Sequence, residues 1–139
     1  MKFDVEIQRQ IILAGLDDFS PNAMLPKIHG GQCGETPKEW RKEVVSFVFI
    51  MLAAGLIAPL PGVEGYQSKS SEEIIDILQQ GDSENGLDVD LVWDVIHFSA
   101  TQKLLELLRI FQLNTWESMH SELSLSLGKD LAEMNVVCI

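Results

Sequence analysis

Residues 36–55 read TPKEWRKEVVSFVFIMLAAG, and they contain the strongest helix signal of the chain. Thr36, Pro37 and Glu39 are typical of a helix start, because threonine and glutamate can form a capping box and proline suits the first helical position. From Val44 onward the stretch is apolar on every face. That pattern predicts a helix buried at the centre of the molecule.

The uncharged run at 44–63 is nearly long enough to cross a bilayer. Gly55, Pro59 and Pro61 interrupt it and leave about fourteen residues of helix, too few to span. We therefore expect a core helix and no membrane association. Met1 to Glu6 contains neither a basic start nor an apolar run, and two cysteines do not make a disulfide scaffold. These features predict a reduced, cytoplasmic protein.

Hydrophobic residues at helical spacing predict further helices on both sides of this stretch. They are expected at 3–16, at 70–81, from about 88, from about 99, and from 114 to about 127 before Gly128. The helix from 88 is predicted to bury Leu91, Val92, Val95 and Ile96. At 56–68, Pro59 and the Pro61-Gly62 turn leave room for one short hairpin. We expect residues 1–139 to form a compact single-domain helical bundle, all-α or mainly α with a short β-hairpin near 56–68.

Acidic residues are concentrated in the second half of the chain. The net charge is −11, from 21 Asp and Glu against 10 Lys and Arg. Residues 1–62 carry seven acids and six bases, whereas residues 63–139 carry fourteen acids and four bases. Between Glu72 and Asp94 there are eight acids and no base.

An acidic run of this kind predicts a surface that binds a basic protein. Acids at i,i+4 with no base among them repel one another, so the run is either a solvated helix face or a surface on which a basic partner relieves the repulsion. Nucleic acid is excluded as a partner, because the surface would repel its phosphates. The predicted partner-binding residues are Glu72, Glu73, Asp76, Asp88, Asp90 and Asp94.

The sequence carries no complete catalytic or metal-binding motif. His29 and Cys33 in HGGQC are two ligands, whereas zinc takes three or four. Gln32 beside Cys33 resembles part of a thiol-protease site, but the flanking signature is absent. We therefore expect no catalytic residue, no metal and no cofactor. A small enzyme that uses the Gly30–Gly34 loop remains an alternative.

Three stretches between Glu43 and Leu108 resemble one class of bacterial protein. They read EVVSFVFIMLAAGLIAPLPG, SSEEIIDIL and DLVWDVIHFS. They are similar to the immunity proteins encoded beside contact-dependent growth-inhibition and related polymorphic toxins, and they cover about half of the chain. The resemblance implies a protein without enzymatic activity. It would bind the C-terminal effector domain of a toxin, often a nuclease, and cover or distort its active site.

The main alternative to an immunity protein is another acidic binding protein. An adaptor, or a phage-type antagonist of a nucleic-acid-binding protein, would also use an acidic surface against a basic partner. The residue types and their spacing leave both hypotheses open.

Overall fold

The computed structural model describes residues 1–62 and 64–138. Within these ranges the α-helices are α1 (Val5–Leu16), α2 (Pro37–Ala53), α3 (Ser71–Gln80), α4 (Val89–Val95), α5 (Gln102–Ile110) and α6 (Leu125–Glu133). The strands are β1 (Ile57–Pro59) and β2 (Phe98–Ala100). Short 3₁₀ turns lie at Pro21–Ala23, Gly31–Cys33, Tyr66–Ser68 and Trp116–His120. The prediction of a mainly helical fold is confirmed.

Helix α2 passes through the core but is not buried on every face. It buries one side, consisting of Trp40, Val44, Phe47, Val48 and Met51. Phe49 on another side is 39% exposed, which corrects the expectation of a wholly buried helix. Thr36 precedes the helix as predicted, but its side chain makes no capping hydrogen bond. One apolar stripe is enough to pack a helix against a core. The second apolar face of α2 therefore remains at the surface.

A pair of tryptophans joins α2 to α4. The ring centroids of Trp40 and Trp93 are 5.6 Å apart, and both side chains are almost completely buried. The Trp40 indole donates to the carbonyl oxygen of Met24 at 3.0 Å, and the Trp93 indole donates to that of Leu78 at 2.8 Å. Leu78 lies in the last turn of α3, where carbonyls lack partners within the helix. The pair therefore ties α2, α3, α4 and the 17–35 loop together.

Helices α3 and α4 begin where the sequence predicts. Ser70 and Glu73 form the expected capping box, and Gly81 follows the last residue of α3. Asp88 caps α4 by accepting a hydrogen bond from the Leu91 backbone nitrogen at 2.9 Å. These caps satisfy backbone groups that a helix start leaves free, so their side chains serve the fold directly.

The predicted burial along α4 is partly wrong. Leu91 is 49% exposed and Val95 is 38% exposed, whereas Val92, Trp93 and Ile96 are buried. The α4 helix has seven residues and contacts its neighbours along one narrow face. Trp93 occupies the centre of that face, and Leu91 and Val95 lie outside it.

The two strands pair across a long stretch of sequence. Strand β1 lies within the predicted 56–68 segment, but its antiparallel partner is β2, with Ala58 opposite Ser99. The hairpin is therefore not local, and residues 60–97 connect its strands. A bridge between Phe19 and Phe98 places the 17–35 loop beside β2, with the two rings 5.9 Å apart.

The C-terminal region departs most from the predicted helices. The expected helix at 114–127 is instead the Trp116–His120 turn followed by α6, which Ser124 caps. Gly128 lies inside α6 and does not end a helix. A Cβ there would be 2.8 Å from the ring of Phe3, so glycine allows α6 to pack closely against that ring. Val136 and Val137 are buried, and the Cys138 backbone nitrogen donates to the Met1 carbonyl oxygen at 2.7 Å. The tail thus docks on the N-terminal segment up to residue 138.

Across residues 1–62 and 64–138, no helix combines the length and the apolar character needed to cross a membrane.

We expect Trp93→Phe to destabilise the fold. The change leaves the Leu78 carbonyl without its donor, so the free energy of unfolding should fall by about 1–3 kcal/mol. Trp116 is the matched control, because it is 56% exposed and Trp116→Phe should change stability by less than about 0.5 kcal/mol. Urea unfolding followed by circular dichroism measures both. Equal losses of unfolding free energy in the two variants would show that the hydrogen bond from the buried Trp93 indole does not stabilise the fold.

Candidate functional site

The structure divides the six predicted acids between two helices. Glu72, Glu73 and Asp76 lie on α3, whereas Asp88, Asp90 and Asp94 lie at the start of α4 or along it. All six side chains are exposed, and α3 packs against α4. The three α3 acids nevertheless line a different depression of the surface from Asp90 and Asp94.

The three α3 acids belong to one depression of about 380 Å³, here called the acidic depression. It is lined by Lys69, Glu72, Glu73, Asp76, Ile77, Gly81, Asp82, Ser83 and Glu84. Five of these residues are acids and one is a base. The positive charge of this base is partly neutralised within the depression, because Lys69 Nζ lies 3.9 Å from Glu84 Oε2. The acidic depression therefore carries a strong negative field.

The acids of this depression differ in how much of their carboxylate is free. Glu73 accepts a hydrogen bond from the Ser70 backbone nitrogen. This bond, together with a hydrogen bond to the Ser70 side chain, lowers the pKa of Glu73. Among the described residues, Glu72 accepts a hydrogen bond only from the Ser71 hydroxyl, at 3.1 Å. Asp76 accepts no hydrogen bond from any described residue. Glu72 and Asp76 are therefore the best placed to meet a partner.

Asp82 forms the buried edge of the acidic depression, at 4% exposure. Its carboxylate accepts hydrogen bonds from the Tyr66 hydroxyl at 2.7 Å and from the Asn85 side-chain amide at 2.6 Å. Burial alone would raise the pKa of Asp82, but the bonds from Asn85 and Tyr66 outweigh burial and lower it. Burial, followed by the bond to Asp82, raises the pKa of Tyr66. These bonds hold the 81–87 loop in the shape that completes the depression.

Sequence reasoning missed the contribution of Asp82 and Glu84 to the site. Both lie in a segment that the sequence indicates only as a polar loop. A faint signal was present, because an Asp side chain can accept a hydrogen bond from the backbone nitrogen three residues on, and Asn85 has that spacing from Asp82. The bond from the Asn85 backbone nitrogen to Asp82 Oδ1 has this form. The distant donor Tyr66 left no signal in the sequence.

Two of the α4 acids, Asp90 and Asp94, bond to residues outside their own stretch of sequence. Asp90 pairs with the Arg41 guanidinium on α2 at 2.9 Å. Asp94 accepts a hydrogen bond from the Asn22 side chain. Asp88 is the α4 cap. The 72–94 run lacks a base in sequence, but Arg41 supplies one in space.

Asp90 and Asp94 line a second depression of about 480 Å³. Its other lining residues are Asn22, Gln32, Pro37, Lys38, Trp40 and Arg41. With two acids and two bases, this depression has a mixed charge. It is therefore a weaker candidate for the centre of an acidic binding surface than the acidic depression.

The Gly30–Gly34 loop forms a tight 3₁₀ turn that packs against α2. A Cβ on Gly30 would lie 2.9 Å from the Gly34 Cα, so the close approach of two backbones accounts for these glycines. Cys33 is exposed. The Nδ1 atom of His97 lies 3.3 Å from Asp18 Oδ1. Among residues 1–62 and 64–138, no three His, Cys, Asp or Glu side chains are grouped as metal ligands.

Comparison of the chain with protein-family models, with curated proteins and with solved structures finds no match.

We expect Asp82→Ala to destabilise the protein in a pH-dependent way. The change leaves Tyr66 and Asn85 without an acceptor and should cost about 1–3 kcal/mol at pH 7. Because the folded-state pKa of Asp82 is lowered, its carboxylate stabilises the fold above about pH 4, the unfolded pKa. That contribution is lost as the pH falls through the folded pKa. Urea unfolding at several pH values should show the wild-type advantage shrinking on acidification.

Glu84→Ala is the matched control for Asp82→Ala. The Glu84 side chain is 82% exposed in the same loop, so its removal should change stability by less than about 0.5 kcal/mol. A wild-type advantage over Asp82→Ala that persists unchanged in acid would contradict the assigned role of the carboxylate.

Proposed function

We propose that this chain is a cytoplasmic immunity protein that binds a basic toxin effector domain and neutralises it without chemistry of its own. The observation that carries the proposal is the acidic depression, in which five carboxylates face one lysine. A site of this composition is suited to lysine or arginine side chains from a partner. The resemblance of residues 43–108 to immunity proteins supports the same function.

The effector is proposed to be a nuclease. Nucleases bind phosphates with basic clefts, so an acidic surface can occupy such a cleft in place of the nucleic acid. An acidic depression of about 380 Å³ has room for one or two long basic side chains. Their entry would bring positive charge among carboxylates that otherwise repel one another.

The six predicted acids are given different roles in this proposal. Glu72 and Asp76 make the central contacts, because their carboxylates are the least used within the chain. Glu73 and Asp88 already cap helices, so they contribute charge more than new bonds. Asp90 and Asp94 form a rim, where Arg41 and Asn22 have already taken part of their bonding capacity. Central charge pairs that lose water contribute more to affinity than rim pairs do.

We expect Glu72→Lys with Asp76→Lys to weaken effector binding at least about tenfold, or about 1.4 kcal/mol. The control is Glu117→Lys with Glu122→Lys, which changes net charge equally at exposed positions outside the acidic depression. Both double variants should associate more slowly at low salt, because long-range attraction depends on total charge. Only the first should also dissociate faster, because only it removes direct contacts. Biolayer interferometry at two salt concentrations measures both rates.

The immunity function predicts that a secreted toxin is encoded next to this gene, and the effector for this experiment is the C-terminal domain of that toxin. Co-expression in a bacterial host should suppress the toxicity of that domain. The absence of such a neighbouring gene, or unchanged toxicity, would contradict the immunity proposal. Equal dissociation rates for the two double variants would show that the effector docks elsewhere on the chain.

We expect Cys33→Ala to leave both effector binding and protection from toxicity unchanged. A nucleophilic thiol needs a base within hydrogen-bond reach. An immunity protein acts by binding alone, so Cys33 has no nucleophilic role in the proposed function. Effector affinity and survival of co-expressing cells are the two measurements. Loss of protection with unchanged affinity would favour the alternative enzyme that uses the Gly30–Gly34 loop.

A further inference from the structure

A groove of about 520 Å³ runs between α2, α3 and α4, on a different side of α3 from the acidic depression. It is lined by Lys38, Arg41, Lys42, Val45, Ser46, Phe49, Ile75, Leu78, Gln79, Val89 and Trp93. On α3, Ile75, Leu78 and Gln79 line this groove, whereas Glu72, Glu73 and Asp76 line the acidic depression. Helix α3 therefore separates two sites of opposite character.

The inside of the groove is apolar and open to solvent. Leu78 and Trp93 form a fully buried floor at 1% exposure each. Val45, Ile75 and Val89 are half-buried along the walls, and Phe49 is 39% exposed. Apolar side chains lining an open groove are typical of a surface that a partner covers.

The groove is rimmed by bases although the protein is acidic. Its lining includes three of the ten bases of the chain and none of the 21 acids. Arg41 is already engaged, with Cζ 4.7 Å from the centroid of the Trp93 ring and a bond to Asp90. Lys42 is 75% exposed and lies 3.4 Å from Glu39, and Lys38 has no ion pair with any described residue. Lys38 is therefore available to an anionic group, whereas Lys42 would exchange its exposed pair with Glu39 for one.

The spacing of the lining residues on α2 gives the groove its shape. Lys38, Lys42, Val45 and Phe49 follow one another at intervals of three or four, so they form a stripe along the helix axis. At 1.5 Å rise per residue, the stripe is about 16 Å long, which is about three helical turns. The bases occupy one end of it and the apolar side chains occupy the other. An α-helix laid along α2 would contact the whole stripe.

We propose that this groove docks an amphipathic α-helix of a partner protein. The docked helix presents apolar side chains at i, i+3 or i+4, and i+7 to the groove, and an acidic residue to Lys38 and Lys42. The charge of the rim selects the occupant, because a basic helix of the same shape would be repelled there. This docking site is independent of the acidic depression and does not rest on the proposed immunity function.

A display library of helical peptides tests the proposal against the full chain. Each peptide has about fourteen residues, or about four turns, with a fixed leucine stripe and charged positions randomised among Asp, Glu, Lys and Arg. Selection should enrich Asp and Glu at one end of the peptide. A selected acidic peptide should bind at least about tenfold tighter than its charge-reversed version by fluorescence polarisation.

Exposed groove residues allow the site to be changed without unfolding the protein. Phe49→Ser and Ser46→Glu should each weaken the selected peptide at least about tenfold, because they remove apolar contact or place a charge in the groove. Lys38→Glu with Lys42→Glu should abolish the preference for acidic over basic peptides. Ile110→Ser is the control for loss of an exposed apolar side chain, since Ile110 is 62% exposed on α5 and should leave binding unchanged.

Several outcomes would overturn the helix-docking proposal. They are a selection without enrichment, an equal recovery of acidic and basic peptides, or unchanged binding by Phe49→Ser. Self-association of the chain that Phe49→Ser abolishes would assign the groove to a second copy. Glu72→Lys with Asp76→Lys should bind the acidic peptide no more weakly than wild type. The peptide-binding result therefore stands if the immunity proposal fails, and the effector-binding result stands if the helix-docking proposal fails.

Discussion

The contact between Trp40 and Trp93 is the interaction on which the rest of the structure depends. Each ring fills the core between α2 and α4, and each indole nitrogen donates to a backbone carbonyl in a further segment. One bond satisfies the last turn of α3, and the other fixes the loop before α2. Buried carbonyls without partners are costly, so these two bonds define where both segments can lie. Removing either ring would therefore disturb more than the volume it fills.

Helix α3 is positioned by this contact and carries both proposed sites. Its apolar stripe is narrow, which leaves acidic residues on one side and Ile75 and Gln79 on the other. The buried bond network of Asp82 then completes the acidic depression beside it. A rigid helix between two surfaces keeps each of them preorganised, which lowers the ordering cost of binding. The two surfaces have opposite charge, so they would select different partners.

Arg41 shows how the fold redistributes charge that is segregated in the sequence. It extends from the nearly neutral half of the chain, stacks on Trp93 and pairs with Asp90 of the acidic half. The pair is partly exposed, so its contribution to stability is small. Its effect on the distribution of charge is larger, because it lowers the negative charge around α4 and leaves the acidic depression beside α3 with more uncompensated acids. The strongly acidic surface is therefore confined to the acidic depression beside α3, although the acids are spread along the whole 72–94 run of the sequence.

The residue pattern along the chain is sufficient to predict the mainly helical class, the position of α2, the starts of α3 and α4, and the excess of acidic charge. The helical features follow from hydrophobic periodicity and from side chains that bond within four residues, and both patterns lie within a short stretch of sequence. The charge excess follows from composition. Only the tertiary structure decided that β1 pairs with β2, that Gly128 lies within a helix against Phe3, and that Leu91 and Val95 face outward. It also decided which acids share a depression, since Tyr66 and Arg41 reach their acidic partners from distant parts of the chain. Such contacts depend on the packing of whole elements, and a residue pattern read along one chain does not contain that geometry.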